Sequence, residues 1–203
     1  CGPDFRYQML RANLKSIDGI LFTHEHRDHV AGLDDIRGFN LMMKKKVRIY
    51  SSQRVYESIC KDFAYVFAED KYKGAPELDV NIINNEQFIV DGIAITPIEV
   101  LHHNLPIFGF RIKDFVYITD ASFISESEMS KIKGANILVI NALRKEKHVS
   151  PFSLDEALEI IEIVKPEKAY LTHISHMLGK HLEVEKELPK NVFLAYDTLS
   201  VDL

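Results

Sequence analysis

Gly19-Ile20-Leu21-Phe22-Thr23-His24-Glu25-His26-Arg27-Asp28-His29-Val30-Ala31-Gly32-Leu33 is the stretch on which the reading of the chain turns. Its first five residues form an apolar run of strand length. Four ligand-type side chains then follow within six residues: His24, His26, Asp28 and His29. His24 and His26 stand two apart in an extended segment, so both side chains face one way. Asp28 and His29 open a helix predicted over Asp28–Met43, where Val30, Leu33, Ile36 and Leu41 recur near helical spacing. Adjacent side chains on a helix diverge. One segment thus offers one pair of side chains to one metal ion and a second pair to another. Imidazole and carboxylate suit zinc, and also manganese or iron. The rival reading is a run of surface histidines, and the bracketing by a strand and a helix counts against it.

Outward from this stretch, strand-like and helix-like patterns alternate. Helices are predicted over Asp4–Leu14, Gln53–Val66, Ser125–Lys133, Ser153–Val164 and Lys180–Leu188. In Ser153–Val164, Ser153 as N-cap and Glu156 three residues on make a capping box. Strands are predicted over Val47–Tyr50, Val80–Ile83, Gln87–Val90, Ile93–Leu101, Phe108–Ile112, Phe115–Thr119, Asn136–Ile140, Ala169–Thr172 and Val192–Tyr196. Lys113-Asp114 reads as a tight turn between two of them. The expectation is one α/β domain with a mixed sheet system, spanning residues 1–203. Lys44-Lys45-Lys46 reads as a solvated helix end, favourable against the helix dipole.

Composition narrows the function classes. The chain has 203 residues, 46% of them hydrophobic and 27% charged, with a formal net charge of -5. That is an ordinary globular composition with material for a sizeable core. A mildly acidic chain is not a general nucleic-acid or anionic-membrane binder. Two cysteines, Cys1 and Cys60, make no disulfide framework, and a cytoplasmic location is expected. No apolar run approaches the ~18 residues of a membrane span. The opening Cys1-Gly2-Pro3-Asp4 has no initiator Met and reads as a turn already inside a domain, so an N-terminally truncated chain is expected.

His24–His29 matches the H-x-H-x-D-H signature of the metallo-β-lactamase superfamily, with Leu21-Phe22-Thr23 before it and Val30-Ala31-Gly32-Leu33 after it. Later segments fit the family's remaining motifs in order. They are His102 after the Ile95–Leu101 strand, Asp120 after Val116-Tyr117-Ile118-Thr119, Asn141-Ala142-Leu143-Arg144, and His173 in Leu171-Thr172-His173-Ile174-Ser175-His176. The chain resembles in particular the branch holding the PhnP-like phosphodiesterases and the tRNA 3′-processing nucleases. The resemblance covers essentially the whole chain and implies an αββα sandwich lacking its N-terminal strands. It also implies two divalent metal ions, zinc or manganese. His24, His26 and His102 would hold the first, Asp28, His29 and His173 the second, and Asp120 would bridge them. The family's opening D-x-G turn would fall near Cys1–Gly2.

Each later residue has a bland rival. His102 and His103 are neighbours, and the family's H-x-x-L-P-x-x-G pattern favours His102. Asp120 alone would read as an Asx-turn or helix N-cap. His173 alone would be as well explained by a satisfied buried histidine. His176 is a partner for a ligating histidine or a substrate contact, or plain surface. One departure matters. Where the branch carries a general-acid histidine before its penultimate helix, this chain has Pro151, which cannot transfer a proton. His148, three residues upstream, is the candidate substitute, with an exposed loop histidine as its rival. Arg144 is a candidate phosphate clamp, with a surface salt bridge as its rival.

Two ions sharing a water would lower its pKa from ~15.7 toward ~7 for attack on an electrophilic centre. Asp28, Asp120 and His148 are the candidates to assist that chemistry. The leading expectation is hydrolysis of a small, possibly cyclic, phosphodiester. A thioester or lactone hydrolase and an inactive metal-binding module are the alternatives. A small-molecule ester is the expected partner. No nucleic acid or membrane partner is expected, and a homodimer would be in keeping with such enzymes.

Overall fold

Alternating apolar residues in short strands, with helices that bury one face, build the chain in the computed structural model, which describes residues 1–202. Their packing forms two units. One comprises Cys1–Asn84 with Val90–Gly92, the other Asn85–Ile89 with the described residues from Ile93 onward.

The first unit runs α1 (Phe5–Arg11), β1 (Ile20–Leu21), α2 (Arg27–Val30), α3 (Arg37–Met43), β2 (Val47–Ser51), α4 (Gln53–Asp62), α5 (Ala64–Phe67) and β3 (Leu78–Ile82). Its three strands are parallel in the order β1-β2-β3, with Ile20 opposite Ile49 and Val47 opposite Leu78. Phe5, Phe22, Leu33, Ile36, Ile49 and Ile59 fill its core. The helix predicted over Asp28–Met43 is divided. A 3-10 segment, Ala31–Ile36, separates α2 from α3. Gly32 supplies the reason. Its N–H donates to the Cys1 carbonyl at 3.0 Å. A Cβ there would lie 2.3 Å from the Gly2 oxygen and 2.5 Å from Phe5 Cβ. The segment is therefore drawn tightly against the start of α1. The helix predicted over Gln53–Val66 also breaks, at Phe63, where φ is -120° and ψ is 42°.

The second unit holds β4 (Phe88–Val90, whose last residue belongs to the first unit), β5 (Ile93–His102), β6 (Leu105–Ile112), β7 (Phe115–Tyr117), β8 (Phe123–Ile124), α6 (Glu126–Ile132), β9 (Ile137–Asn141), α7 (Leu154–Val164), β10 (Lys168–Thr172), α8 (His181–Val184) and β11 (Val192–Leu194). The sheet order is β11-β10-β9-β7-β6-β5-β4, with β8 paired to β5. Lys113 takes a left-handed φ of 53° at the turn joining β6 to β7, as its place in Lys113-Asp114 predicts. The capping box on α7 is present: Ser153 N–H donates to Glu156 at 2.9 Å. The two-residue strand β8 is too short to leave a periodic signal.

Strand direction positions the chemistry. β7, β9, β10 and β11 are mutually parallel. β5 and β7 are both antiparallel to β6, so β5 runs with them. Residues at or just after the C-terminal ends of β5, β7, β9 and β10 thus emerge along one sheet edge. His102, Asp120, Asn141 and His173 are among them.

Candidate metal centre

In the first unit, pairing with β2 extends past β1, because Phe22 N–H donates to the Tyr50 carbonyl at 2.9 Å. This holds the next residues extended. His24 is completely buried. Its Nδ1 lies 3.0 Å from the Thr23 hydroxyl, and its Nε2 lies 3.1 Å from His26 Nδ1. The His29 ring stands 4.1 Å from the His24 ring, centre to centre, and His29 Nε2 is 3.2 Å from the Asp28 carboxylate. The intervening residues face elsewhere. Glu25 pairs with Arg54 at 3.2 Å and Arg27 with Asp62 at 3.2 Å. In the extended part of this segment the two-residue period thus separates His24 and His26 from Glu25, and Arg27 opens α2. Gly2 lies beneath this motif. A Cβ there would come 2.5 Å from the Asp28 carbonyl oxygen, so only glycine fits.

The second unit carries the other set. Asp120 is buried, with a left-handed φ of 59°, and His173 has a φ of 51°. Strained backbone of this kind gathers at functional sites. His173 Nε2 sits 3.0 Å from Asp120 Oδ1, and the Thr119 hydroxyl donates to Asp120 Oδ2 at 2.8 Å. The Asn141 side chain clamps the next residue from both sides. Its Oδ1 accepts from Ala121 N–H at 2.8 Å and its Nδ2 donates to the Ala121 carbonyl at 3.0 Å. His102 closes β5, and its Nδ1 is 2.7 Å from the Ser150 hydroxyl.

The donor sets suit divalent metal ions. Two ligands at 2.0–2.1 Å in a tetrahedral shell lie about 3.3 Å apart. The His24–His26 and His173–Asp120 atom pairs, at 3.1 Å and 3.0 Å, approach that spacing. Within the first unit His24, His26, Asp28 and His29 stand together, and within the second Asp120 stands with His173.

The remaining predicted residues have clear places. His148 is half-buried, and its Nδ1 accepts the Ser150 N–H at 3.2 Å. Arg144 donates to the carbonyls of Glu146 and Lys147, both at 3.3 Å, so it braces its own loop. His176 is exposed after β10. Ser150 escapes the sequence reading, whereas Asn141 and Thr119 enter it only as members of motif segments, with no role of their own. Asn141 had a signal, since a polar residue ending the apolar run Ile137–Ile140 calls for a partner. A serine two residues beyond His148 had none.

Histidines and carboxylates standing at the ends of strands in an α/β fold, with His24 and Asp120 buried, define a metal-binding hydrolase of the metallo-β-lactamase fold. The chain belongs to the beta-lactamase superfamily domain family, whose model matches residues 1–174. It is 34% identical over 201 residues to a protein named octanoyltransferase from Porphyromonas gingivalis (strain ATCC BAA-308 / W83), covering 98% of this chain and 40% of that protein. The chain thus spans less than half the length of that relative. It is 25% identical over 193 residues to exodeoxyribonuclease YycJ of Bacillus anthracis, covering 83% of this chain and 68% of the relative. Among solved structures, a diphosphatase of the PhnP family aligns with a TM-score of 0.91 and 33% identity, over 100% of this chain and 78% of that one. The resemblance to the PhnP-like branch is thereby borne out. No helix among the described residues is long and apolar enough to cross a membrane.

Proposed function

We propose that this chain is a two-metal phosphoesterase acting on a small phosphodiester. The observation that carries the reading is the whole-chain likeness, at 33% identity, to a diphosphatase of the PhnP family. The His and Asp sets described above support it. On the family pattern, His24, His26 and His102 would hold one ion and Asp28, His29 and His173 the other, with Asp120 a ligand to both. Zinc or manganese suits these donors. Bound there, the ions would acidify a shared water and stabilise charge on the substrate oxygens.

The chain's own residues do the rest. Thr119 and the Asn141 clamp hold Asp120 in its left-handed turn. Ser150 fixes the His102 ring through Nδ1, which leaves Nε2 as the nitrogen to offer a metal. His148 accepts a backbone N–H at Nδ1, so its neutral ring carries the proton on Nε2. That proton is available to a leaving alkoxide, the role that Pro151 cannot fill.

A second reading is a thioester hydrolase on the same site. The 34% identical relative named octanoyltransferase favours it, since that name speaks of an acyl group. The experiment compares bis(p-nitrophenyl) phosphate with an octanoyl thioester, using protein loaded with zinc or manganese beside a His26→Ala control. Metal-dependent release of p-nitrophenol that the control lacks supports the phosphoesterase. Turnover of the thioester alone replaces it with the second reading.

A further inference from the structure

α1 and α3 present an apolar face to solvent. Leu10 on α1, Leu14 shortly after it, and Leu41 and Met42 on α3 are all exposed there, Leu41 by 76%. A groove of about 410 Å³ follows this face, with the buried rings of Phe5 and Phe39 in its lining. At the C-terminal end of α3 lies a second pocket, of about 290 Å³, lined by Arg37, Lys44 and Lys45 together with Glu77. Asn40 fixes the walls of this pocket. Its Nδ2 donates to the carbonyls of Lys45 and Glu77 at 3.0 Å and 2.8 Å, and its Oδ1 accepts from Glu77 N–H at 2.9 Å. Arg37 and Leu41 line both spaces, so the apolar groove leads into the basic pocket.

Charge says what fits. Arg6, Lys15, Arg37, Lys44 and Lys45 line the two spaces, against Asp35 and Glu77. This excess of cations stands on a chain whose formal net charge is -5. A second copy docked face to face through a two-fold axis would bring five cations and only two carboxylates from each copy into one interface, which disfavours that occupant. A neutral apolar ligand would leave the basic pocket unused. Exposed apolar surface beside convergent polar groups is the character of a ligand groove.

We propose that this groove and pocket form a binding site for an anionic amphiphile, an alkyl or acyl chain ending in a phosphate. The chain lies along the groove against Leu41 and Met9. The phosphate sits among Arg37, Lys44 and Lys45. The site is separate from the candidate metal ligands and does not depend on what reaction they run.

The test is calorimetric titration of the metal-loaded protein with octyl phosphate below its micelle concentration. Inorganic phosphate and octyl glucoside serve as the head-only and chain-only controls. The expected result is octyl phosphate binding at least tenfold tighter than either control. Arg37→Ala and Leu41→Ser, both at exposed positions, are each expected to weaken it about tenfold while leaving hydrolysis of bis(p-nitrophenyl) phosphate unchanged. Co-sedimentation with phosphatidylcholine vesicles, with and without phosphatidylserine, separates the sources. Retention on the anionic vesicles assigns a lipid surface, and octyl phosphate binding without retention assigns a soluble amphiphile. Octyl phosphate binding no tighter than phosphate alone overturns the proposal. So does binding that both variants leave intact. A dimer that Leu41→Ser dissociates, in protein that does not bind octyl phosphate, gives the groove to a second copy and also overturns it.

Discussion

The Ser150 hydroxyl lies 2.7 Å from Nδ1 of His102, and the Ser150 backbone N–H donates to Nδ1 of His148 at 3.2 Å. One residue therefore ties the histidine that closes β5 to the histidine proposed as proton donor. For His102 Nε2 to act as a ligand, Nδ1 must carry the ring proton and donate it to Ser150. Partners of this kind fix both the tautomer and the ring orientation of a ligating histidine. Ser150→Ala is expected to weaken binding of one metal ion by about 10–100-fold while leaving the other unaffected. Competition against a chromophoric chelator measures this. Ser150→Thr keeps the hydroxyl and should restore affinity. Equal affinities in wild type and Ser150→Ala would remove the role.

His148 is tested through the leaving group. With Nδ1 occupied, its Nε2 proton serves only substrates whose leaving oxygen needs one. His148→Ala should lower kcat by about 10²–10⁴-fold for a phosphodiester with an alkoxide leaving group. For bis(p-nitrophenyl) phosphate kcat should scarcely change, because p-nitrophenolate leaves unprotonated. Equal losses on both substrates would mean that His148 holds the loop rather than donates a proton.

Asn141 works through Ala121. Asn141→Leu preserves bulk but strips both hydrogen bonds from the clamp. The Ala121 carbonyl keeps Phe152 N–H as a donor at 2.8 Å, whereas the Ala121 N–H loses the Asn141 Oδ1 acceptor. A buried unpaired N–H costs about 1–3 kcal/mol. Urea denaturation of the metal-free protein should register a loss of that size. Metal affinity should fall as well, since Asp120 is the preceding residue. Unchanged stability together with unchanged metal affinity would dismiss the clamp.

The His24–His29 segment was legible because its chemistry is written at consecutive positions. The later candidate ligands were legible only as members of a motif series, each being an ordinary residue alone. Most strands and α7 followed from periodicity and capping. The divided helix after His29 did not, because its cause is contact of Gly32 with Gly2 and Phe5, a relationship between distant residues. The pairings of Ser150 and Asn141 were missed for a similar reason. Their partners, His102 and Ala121, lie 48 and 20 positions away. No local pattern records such pairings.

Glu128 on α6 ties stability to pH away from the candidate metal ligands. Its side chain is buried, pairs with Lys131 Nζ at 2.9 Å, and accepts from Asn85 Nδ2 at 2.9 Å and from Glu99 N–H at 2.8 Å. Burial pushes its carboxyl pKa up, but the hydrogen bonds from Lys131, Asn85 and Glu99 outweigh burial and hold it below the ordinary 4.5. The unfolded chain therefore takes up this proton first as pH falls. The stability Glu128 contributes is fully present above pH 4.5 and is lost as pH drops through the lower folded value. Glu128→Gln removes the charge and keeps one acceptor. In metal-free protein the variant should be less stable than wild type by about 1–3 kcal/mol at neutral pH. That gap should close on acidification below pH 4.5, as measured by urea denaturation at successive pH values. A gap that stays constant down to the acid limit would show that the carboxylate charge plays no part in holding α6 to β5.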